Sequence, residues 1–446
     1  MRRRFRAAIV LTLVPTLVLS AMWNWARDRS RAEPVETLPV AADVVDVDRA
    51  VVTPVLSMRR QADAVAAAAA RDRRSAGLIE ALADLRDDDC LSMTTGGVDV
   101  VDHRVDMGMT VPGVTHLLVA SAAIAVLGPG YVSTTRVLGA EPDGGRIDGD
   151  LYLVGGGDAF LGTEALSGPR TESLTGHDAR LETLVRALTA SGITSVDGDI
   201  VGVDERYPVI TRAPGDAATA AALVVDGGRI ITSPVNRGLD PAQTAARTLD
   251  ELLRRAGISV SGTVRLGAPR EGAIEIAAID GAPLVDVVSS LDPADSALWG
   301  IAPWNWAIEV ALTRGQPSSL DDALSVVADV IGSWGVDEPA LASPGGPAVA
   351  RVSCRTLAEA VDRLSASGAL GESPPASSAA LEAGIDLVGG STLALVRGQT
   401  ASGLSVTAIG DRTRIQRAIA GVEMLLADTS EEPPLAVLGP LVTGAS

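Results

Sequence analysis

The strongest constraint on the fold is Met109–Gly128, a short polar turn that is followed at once by an almost wholly apolar segment, MTVPGVTHLLVASAAIAVLG. Residues Leu117–Leu127 carry no charge, which predicts a helix that is buried on every side. A turn that leads into such a helix is held at a fixed position against the core. This geometry suits a catalytic residue, and we expect the rest of the fold to be built around the helix.

The composition allows a large folded core but restricts the chemistry. The chain has 446 residues, of which 47% are hydrophobic, and this length is enough for about two or three domains. The net charge of −19 argues against binding nucleic acid through a basic face. All 37 basic residues are arginine, so the chain contains no lysine. A mechanism that depends on lysine therefore has no candidate residue.

The amino-terminal segment predicts export. Four arginines among the first six residues precede an apolar run, Ala7–Trp23, which is long enough for an uncleaved membrane anchor. We expect residues 1–31 to anchor the protein in the cell membrane, with the domains that follow outside the cytoplasm. A cleaved signal peptide and a secreted protein are the alternative. Residues 32–77 are predicted to be a spacer that ends in a helix, and residues 430–446 a flexible tail.

Hydrophobic periodicity predicts helices and strands along the central part of the chain. Strands at Cys90–Met93 and Val98–Val101 flank a glycine turn and form a predicted hairpin. Gly155–Asp158 (GGGD) lacks the residues of a phosphate-binding loop, so we interpret it as a tight structural turn. Further strands are predicted at Val132–Leu138, Gly149–Val154, Ile200–Val203, Leu223–Val225 and Ile274–Ala278, and helices at Leu78–Leu85, Leu181–Ser191 and Pro241–Ala256.

The cysteines and histidines predict neither a metal site nor a cofactor. Cys90 and Cys354 are the only cysteines. In an exported protein one disulfide between them is the economical interpretation, and two buried thiols are the alternative. His103, His116 and His177 are scattered along the chain without metal-binding spacing. We therefore predict no metal and no cofactor.

Several stretches resemble one known family. Tyr131–Leu138 (YVSTTRVL), Ile147–Asp158 (IDGDLYLVGGGD), Leu223–Arg229 (LVVDGGR) and Arg351–Ala358 (RVSCRTLA) have the order and spacing found in class C low-molecular-mass penicillin-binding proteins of the D-alanyl-D-alanine carboxypeptidase/endopeptidase type. The resemblance covers about Leu78–Gly410, which is most of the chain.

This resemblance implies the fold class and the domain organisation. It implies an α/β (α+β) fold with a transpeptidase-like, β-lactamase-like core, in which an antiparallel sheet is flanked by helices. Residues 78–140 and 283–429 would form this core, and residues 141–282 would form inserted β-rich domains.

The first catalytic motif of the family departs from its pattern here. In the family the turn before the buried helix is P-A-S-x-x-K, in which the serine is acylated and the lysine accepts its proton. The matching positions hold Gly113, which has no side chain, and His116. His116 could act as a base with Thr115 or Ser121 as the nucleophile. However, adjacent residues diverge on a helix, and five positions along it correspond to a rotation of about 500°.

The other two motifs have also changed. The S-x-N motif is best matched by Pro303 and Asn305, with Glu309 in its expected place; an ungapped register instead puts it at Asp295–Ala297, without the asparagine. The K-T-G motif, which the resemblance places on an edge strand, falls near Ala383–Ile385 or one residue earlier, and no cation occupies it. The degenerate motif positions are Gly113, His116, Pro303, Asn305, Ala383 and Gly384.

The resemblance and its departures together predict the function. We expect a membrane-anchored, extracytoplasmic homologue of the carboxypeptidases that is catalytically inactive and has a binding or scaffolding role in peptidoglycan metabolism. Peptidoglycan stem peptides or cell-wall proteins are the expected partners, and nucleic acid is not. The alternative is an active serine-type carboxypeptidase or endopeptidase that uses non-standard residues.

Overall fold

The computed structural model describes the central part of the chain, all of it within the compact unit Ala67–Ser446. The described residues are 75–95, 98–111, 114–164, 179–207, 220–226, 240–291, 300–315, 317–341, 351–369, 383–386, 394–399 and 404–427. The predicted anchor (1–31), nearly all of the predicted spacer (32–77) and the predicted tail (430–446) lie outside them. Within these residues, no helix combines the length and the apolar character needed to cross a bilayer.

The first sheet joins the two ends of the described chain. It is antiparallel and five-stranded, in the order β13-β14-β15-β1-β2. The predicted hairpin is confirmed, because β1 and β2 pair from Leu91 opposite His103 to Thr95 opposite Val98. The strands are β1 (Cys90–Thr95), β2 (Val98–His103), β13 (Ala383–Asp386), β14 (Ala394–Gln399) and β15 (Ser405–Gly410).

One face of this sheet is covered by two helices from opposite ends of the described chain. They are α1, residues 75–82, and α9, Arg412–Ala427. Leu78 of α1 and Ile415 of α9 belong to the same buried cluster as Leu91 and Met93 of the sheet. Because both helices cover apolar side chains of the central strands, the amino- and carboxyl-terminal halves of the described chain form one core.

The buried helix predicted from the sequence is confirmed as α2, Thr115–Leu127. It is buried from Thr115 to Ile124, and its last three residues are more exposed. It packs against four other helices, α5 to α8, because its charge-free surface can be covered on several sides. The helices of this layer are α5 (Leu284–Ser290), α6 (Ala302–Leu312), α7 (Leu320–Gly332) and α8 (Cys354–Ala366). The short strand β3 (Met109–Thr110) comes just before α2 in the chain, and it pairs with β12 (Arg351–Val352).

A second, mixed sheet lies between the two halves in sequence. Its strand order is β10-β8-β6-β4-β11, with β10, β8 and β6 parallel and β4 antiparallel to β6 and β11. A smaller parallel sheet has the order β5-β7-β9. The strands are β4 (Thr134–Gly139), β5 (Arg146–Ile147), β6 (Leu151–Val154), β7 (Ser195–Val196), β8 (Ile200–Val203), β9 (Ser259–Val260), β10 (Val264–Leu266) and β11 (Ile274–Asp280).

The two helices predicted in this region are confirmed. They are α3, Leu181–Ala190, and α4, Pro241–Arg255, whose amino terminus is capped by the Asp240 carboxylate. Their apolar faces share one buried cluster with strands of the second sheet. Strand β4 also belongs to this sheet although it precedes residue 141. The domain bounds stay a prediction.

One predicted strand is wrong. The segment Leu223–Val225 forms bends instead of a ladder. The Asp204 carboxylate accepts hydrogen bonds from the backbone N–H groups of Ala222 and Leu223, at 2.6 and 3.1 Å. A side chain therefore takes the place that a neighbouring strand would have at the start of this segment, a competition that apolar patterning does not reveal.

The predicted disulfide is confirmed. Cys90, the first residue of β1, is bonded to Cys354, the first residue of α8, with their Cα atoms 6.2 Å apart. Both cysteines are completely buried. The bond therefore joins the central part of the first sheet to a helix that packs on α2.

Candidate active site

Of the two first-motif positions, the structure describes His116, at the amino terminus of α2. Gly113 is outside the described residues, whereas His116 is the second residue of the helix and only 5% exposed. Thr115 is also buried, and Val114 at the N-cap makes no side-chain hydrogen bond to the helix. His116 is thus part of the buried end of the helix.

Ser121, the other hydroxyl considered as a replacement nucleophile, is engaged elsewhere. Its Oγ donates a hydrogen bond to the Ala360 carbonyl of α8 at 3.1 Å, and the side chain is 1% exposed. This hydroxyl joins two packed helices and has no access to solvent. The poor orientation expected from its position along the helix is consistent with this contact.

The second-motif candidate, Asn305, is held entirely by backbone groups. It lies on α6, which packs directly against α2, and its side chain is completely buried. Its Nδ2 donates to the carbonyls of Gly157 and Ala221 at 3.0 and 2.9 Å, and its Oδ1 accepts from the Ala221 N–H at 3.1 Å. The amide thus fastens α6 to two segments that precede it in the chain, and it cannot bind a ligand without giving up these bonds.

The remaining second-motif positions are described only in part. Pro303 is buried in the first turn of α6, where proline is tolerated because the first N–H groups of a helix have no partner inside it. The alternative register, Asp295–Ala297, lies outside the described residues.

Glu309, one turn further along α6, is a buried carboxylate that forms an ion pair with the partly exposed Arg206. It is 4% exposed, and its two carboxylate oxygens accept from Nε and Nη2 of Arg206 at 2.5 and 2.7 Å. This pairing raises the pKa of Arg206 further above its ordinary value. Burial, and next the negative charge of Glu309, raise the pKa of the Tyr131 and Tyr207 hydroxyls. The resemblance implied a glutamate at position 309, whereas no pattern in the sequence indicated its partners.

The GGGD segment forms the tight turn that the sequence predicted. Gly157 has φ +92°, a conformation that glycine adopts without strain, and a Cβ atom there would collide with the Tyr207 hydroxyl. A Cβ at Gly156 would collide with the carbonyl of Thr134. The glycines therefore allow the chain to pass closely between β4 and Glu309, and no phosphate-binding role is needed to explain them.

The third-motif positions, Ala383 and Gly384, begin strand β13. This strand is at the edge of the first sheet and pairs with β14, with Ala383 opposite Gln399 and Gly384 opposite Gly398. Arg397 of β14 is opposite Ile385. The backbone placement agrees with an edge strand, as the resemblance implied.

Asp158, the last residue of the GGGD turn, is a buried carboxyl group with a raised pKa, which the sequence did not indicate. Its Oδ1 accepts from the Phe160 N–H at 2.8 Å, and burial raises its pKa to about 6. No group of three or more histidine, cysteine or acidic side chains is suitably placed to hold a metal ion in the part of the chain that the structure describes. The chemistry available near α6 is thus that of buried carboxyl groups and aromatic side chains.

Comparison with known proteins gives one family and one fold. Residues 90–239 match the model of the D-Ala-D-Ala carboxypeptidase 3 (S13) family. No curated protein sequence matches the chain.

Solved structures of the same fold include penicillin-binding protein 4 from Haemophilus influenzae. Its complex with a β-lactam is 14% identical with a TM-score of 0.54, over 78% of this chain and 99% of that one. A second structure of the same protein gives 13% identity, a TM-score of 0.54 and the same coverage. A penicillin G-acylated predatory endopeptidase from Bdellovibrio bacteriovorus, in complex with an immunity protein, is 12% identical with a TM-score of 0.42, over 76% and 90% of the two chains.

The matched family segment contains the hairpin, α2 and the GGGD turn, and the shared fold covers 78% of this chain. The α/β fold with a transpeptidase-like core is therefore confirmed. These findings also confirm the resemblance seen in the sequence: residues 90–239 are similar to the D-Ala-D-Ala carboxypeptidase 3 (S13) family, and the fold is similar to that of penicillin-binding protein 4.

Proposed function

We propose that this protein is a non-hydrolysing relative of the D-alanyl-D-alanine carboxypeptidases that binds or scaffolds other components during cell-wall assembly. The observation that carries the proposal is the complete absence of lysine from all 446 residues, together with glycine at the position of the acylated serine. Acyl transfer of this type needs a hydroxyl and a base that accepts its proton. Neither the serine nor the lysine that perform these steps in the family is present.

The contacts around α2 and α6 support this proposal. The polar side-chain atoms of Ser121 and Asn305 are hydrogen-bonded to backbone groups. The third motif contains alanine and glycine in place of a cation. The Haemophilus protein of the same fold has been crystallised with a β-lactam, so the fold can hold such a ligand when its side chains allow it. A scaffold that keeps the fold without the reacting groups is suited to binding.

The proposal includes an extracytoplasmic location. The apolar segment Ala7–Trp23 supports insertion into the cell membrane, and the disulfide between Cys90 and Cys354 favours an oxidising compartment. Alkaline phosphatase fused after residue 74 should be active in cells, because this reporter needs export to fold. An inactive fusion that accumulates in the cytoplasm would reject the location.

Cell-wall stem peptides or cell-wall proteins are the proposed partners. A peptide that ends in D-alanyl-D-alanine should release no D-alanine when it is incubated with the full chain. The Haemophilus protein, assayed in parallel, is the positive control for the assay conditions. Calorimetric titration with the same peptide then separates the partners: heat of binding without turnover supports a stem-peptide ligand, and no heat directs attention to protein partners. Sustained D-alanine release would reject the proposal.

A further inference from the structure

A small cavity lies between the GGGD turn and the helices α5 and α6. It has a volume of about 20 Å³ and is open to solvent on one side, and its wall includes Tyr131, Phe160 and Trp306. The whole chain contains only three tyrosines, two phenylalanines and six tryptophans. One residue of each type therefore lines this one cavity, although aromatic residues make up only 2% of the chain.

A single carboxyl group faces the same cavity. Oδ1 of Asp158 accepts a hydrogen bond from the Phe160 N–H, and the carboxyl group is also bonded by the backbone N–H of Leu161. Oδ2 lies against Gly281, where a Cβ atom would come within 2.8 Å of it. Glycine at position 281 thus leaves the second oxygen room at the cavity wall.

No arginine among the described residues forms an ion pair with Asp158. The guanidinium of Arg206, from the loop after β8, is bound by both oxygens of Glu309, and the neighbouring Asp280 is itself acidic. Burial without a positive partner disfavours the ionised carboxyl, which is why the pKa of Asp158 rises to about 6. At neutral pH the cavity therefore contains a negative charge that the described part of the protein does not neutralise.

The side chains that line the cavity indicate which kind of ligand could neutralise the charge of Asp158. Aromatic side chains attract organic cations through their π-systems, and a carboxylate adds direct charge pairing. The Tyr131 hydroxyl is already hydrogen-bonded to Ser133 and Glu309. The Ser133 oxygen, also in the wall, has a second lone pair that can accept a hydrogen bond from an ammonium group. An anion would be repelled, and the small volume excludes a bulky head group.

We propose that this cavity binds the ammonium group of a primary alkylamine, with Asp158 as its counter-ion and Tyr131 and Trp306 as the aromatic wall. The amine could belong to a free small molecule or to the side chain of a peptide, because the cavity would contact only the ammonium and the first carbons. Binding here does not depend on whether the turn before α2 can be acylated.

Calorimetric titration of the full chain with n-butylammonium chloride at pH 7.5 and constant ionic strength tests the proposal. Butylammonium should bind, and the neutral isostere 1-butanol should not. Asp158→Asn keeps the acceptor for the Phe160 N–H but removes the charge, and we expect it to weaken binding by about tenfold or more. Asp280→Asn is the matched control, because Asp280 is exposed and bonded to the Thr134 hydroxyl, and it should bind like the wild type.

Two further arms keep the test decisive if Asp158→Asn fails to fold. In the wild type, affinity for butylammonium should fall by about tenfold between pH 7.5 and pH 5, as Asp158 takes up a proton near its pKa of about 6. An acetylated and amidated Ala-Lys-Ala peptide should bind more tightly than butylammonium if the natural amine is on a peptide, and more weakly if it is a free molecule. Equal binding of butanol, a pH-independent affinity, or no binding of either amine would overturn the proposal.

Discussion

At the scale of single residues, a position that keeps the residue type of the family motif has a structural role in this chain. Asn305 is conspicuous because its amide makes three hydrogen bonds to the backbone of Gly157 and Ala221 in a completely buried position. The sequence identified Asn305 as a motif residue, but no pattern in the sequence could show that its bonds go to segments 84 and 148 positions away.

Replacing this amide should destabilise the protein. Asn305→Ala leaves two buried carbonyls and one N–H without their partner, and we expect the free energy of unfolding to fall by roughly 2–4 kcal/mol. Gln243→Ala, on the half-exposed surface of α4, is the control and should change it by less than about 0.5 kcal/mol. Urea unfolding followed by circular dichroism measures both. Equal stability of the two variants would show that the Asn305 bonds contribute little.

The first motif leads to a prediction about repair. Gly113→Ser combined with His116→Lys restores the hydroxyl and the base of the family pattern, but the third motif still lacks a cation for the substrate carboxylate. We therefore expect no measurable D-alanine release from the double variant. The same double variant with a lysine added by Ala383→Lys is the comparison. Turnover by the double variant alone would show that the third-motif cation is not needed for hydrolysis by this chain.

At the scale of secondary-structure elements, a buried ion pair fastens α9 to the beginning of β1. The Asp89 carboxylate is fully buried and accepts from Nε and Nη2 of Arg414 at 2.7 and 2.9 Å. It also accepts from the backbone N–H of Asp411, at 2.9 Å. Burial alone would raise the pKa of Asp89, but the hydrogen bonds from Arg414 and from the backbone bring it below its ordinary value.

Asp89→Asn should therefore lower stability by about 2–3 kcal/mol at pH 7, because one member of a buried pair loses its charge. The native pKa is the lower one, so this stabilisation is complete above the ordinary aspartate pKa of about 4 and is lost as the pH falls toward the native value. The difference between wild type and variant should shrink in that window. Asp88→Asn, at a side chain that is 77% exposed and also contacts Arg414, is the control, with an expected effect below about 0.5 kcal/mol. A pH-independent difference would contradict this account.

The elements themselves differed in how far the sequence could predict them. Helix α2 was predicted from composition alone, because a charge-free segment of this length can only be buried. The prediction of a strand at Leu223–Val225 was wrong, because the Asp204 carboxylate accepts the backbone hydrogen bonds at the start of this segment. The cavity beside Asp158 was not predictable, since Tyr131, Phe160 and Trp306 come from three segments that only the folded chain brings together.

At the scale of the whole molecule, the disulfide closes a loop of 264 positions between the first sheet and the helical layer. Cross-links that close long loops restrict the unfolded chain most, with an expected stabilisation of roughly 2–5 kcal/mol. Cys90→Ala with Cys354→Ala should lower the free energy of unfolding by that amount, as measured by urea unfolding. Reductant added during unfolding should shift the wild type toward the variant and leave the variant unchanged. A variant as stable as the oxidised wild type would contradict this.

The central claim for the whole molecule is that the transpeptidase-like fold remains while the acylating side chains are gone. Labelling of the purified full chain with a fluorescent penicillin, followed by denaturing electrophoresis, tests it most directly, since only a covalent acyl bond survives denaturation. With the Haemophilus penicillin-binding protein 4 labelled in parallel, the account predicts no fluorescent band for this chain. A fluorescent band that disappears when the chain is first treated with unlabelled penicillin would contradict it.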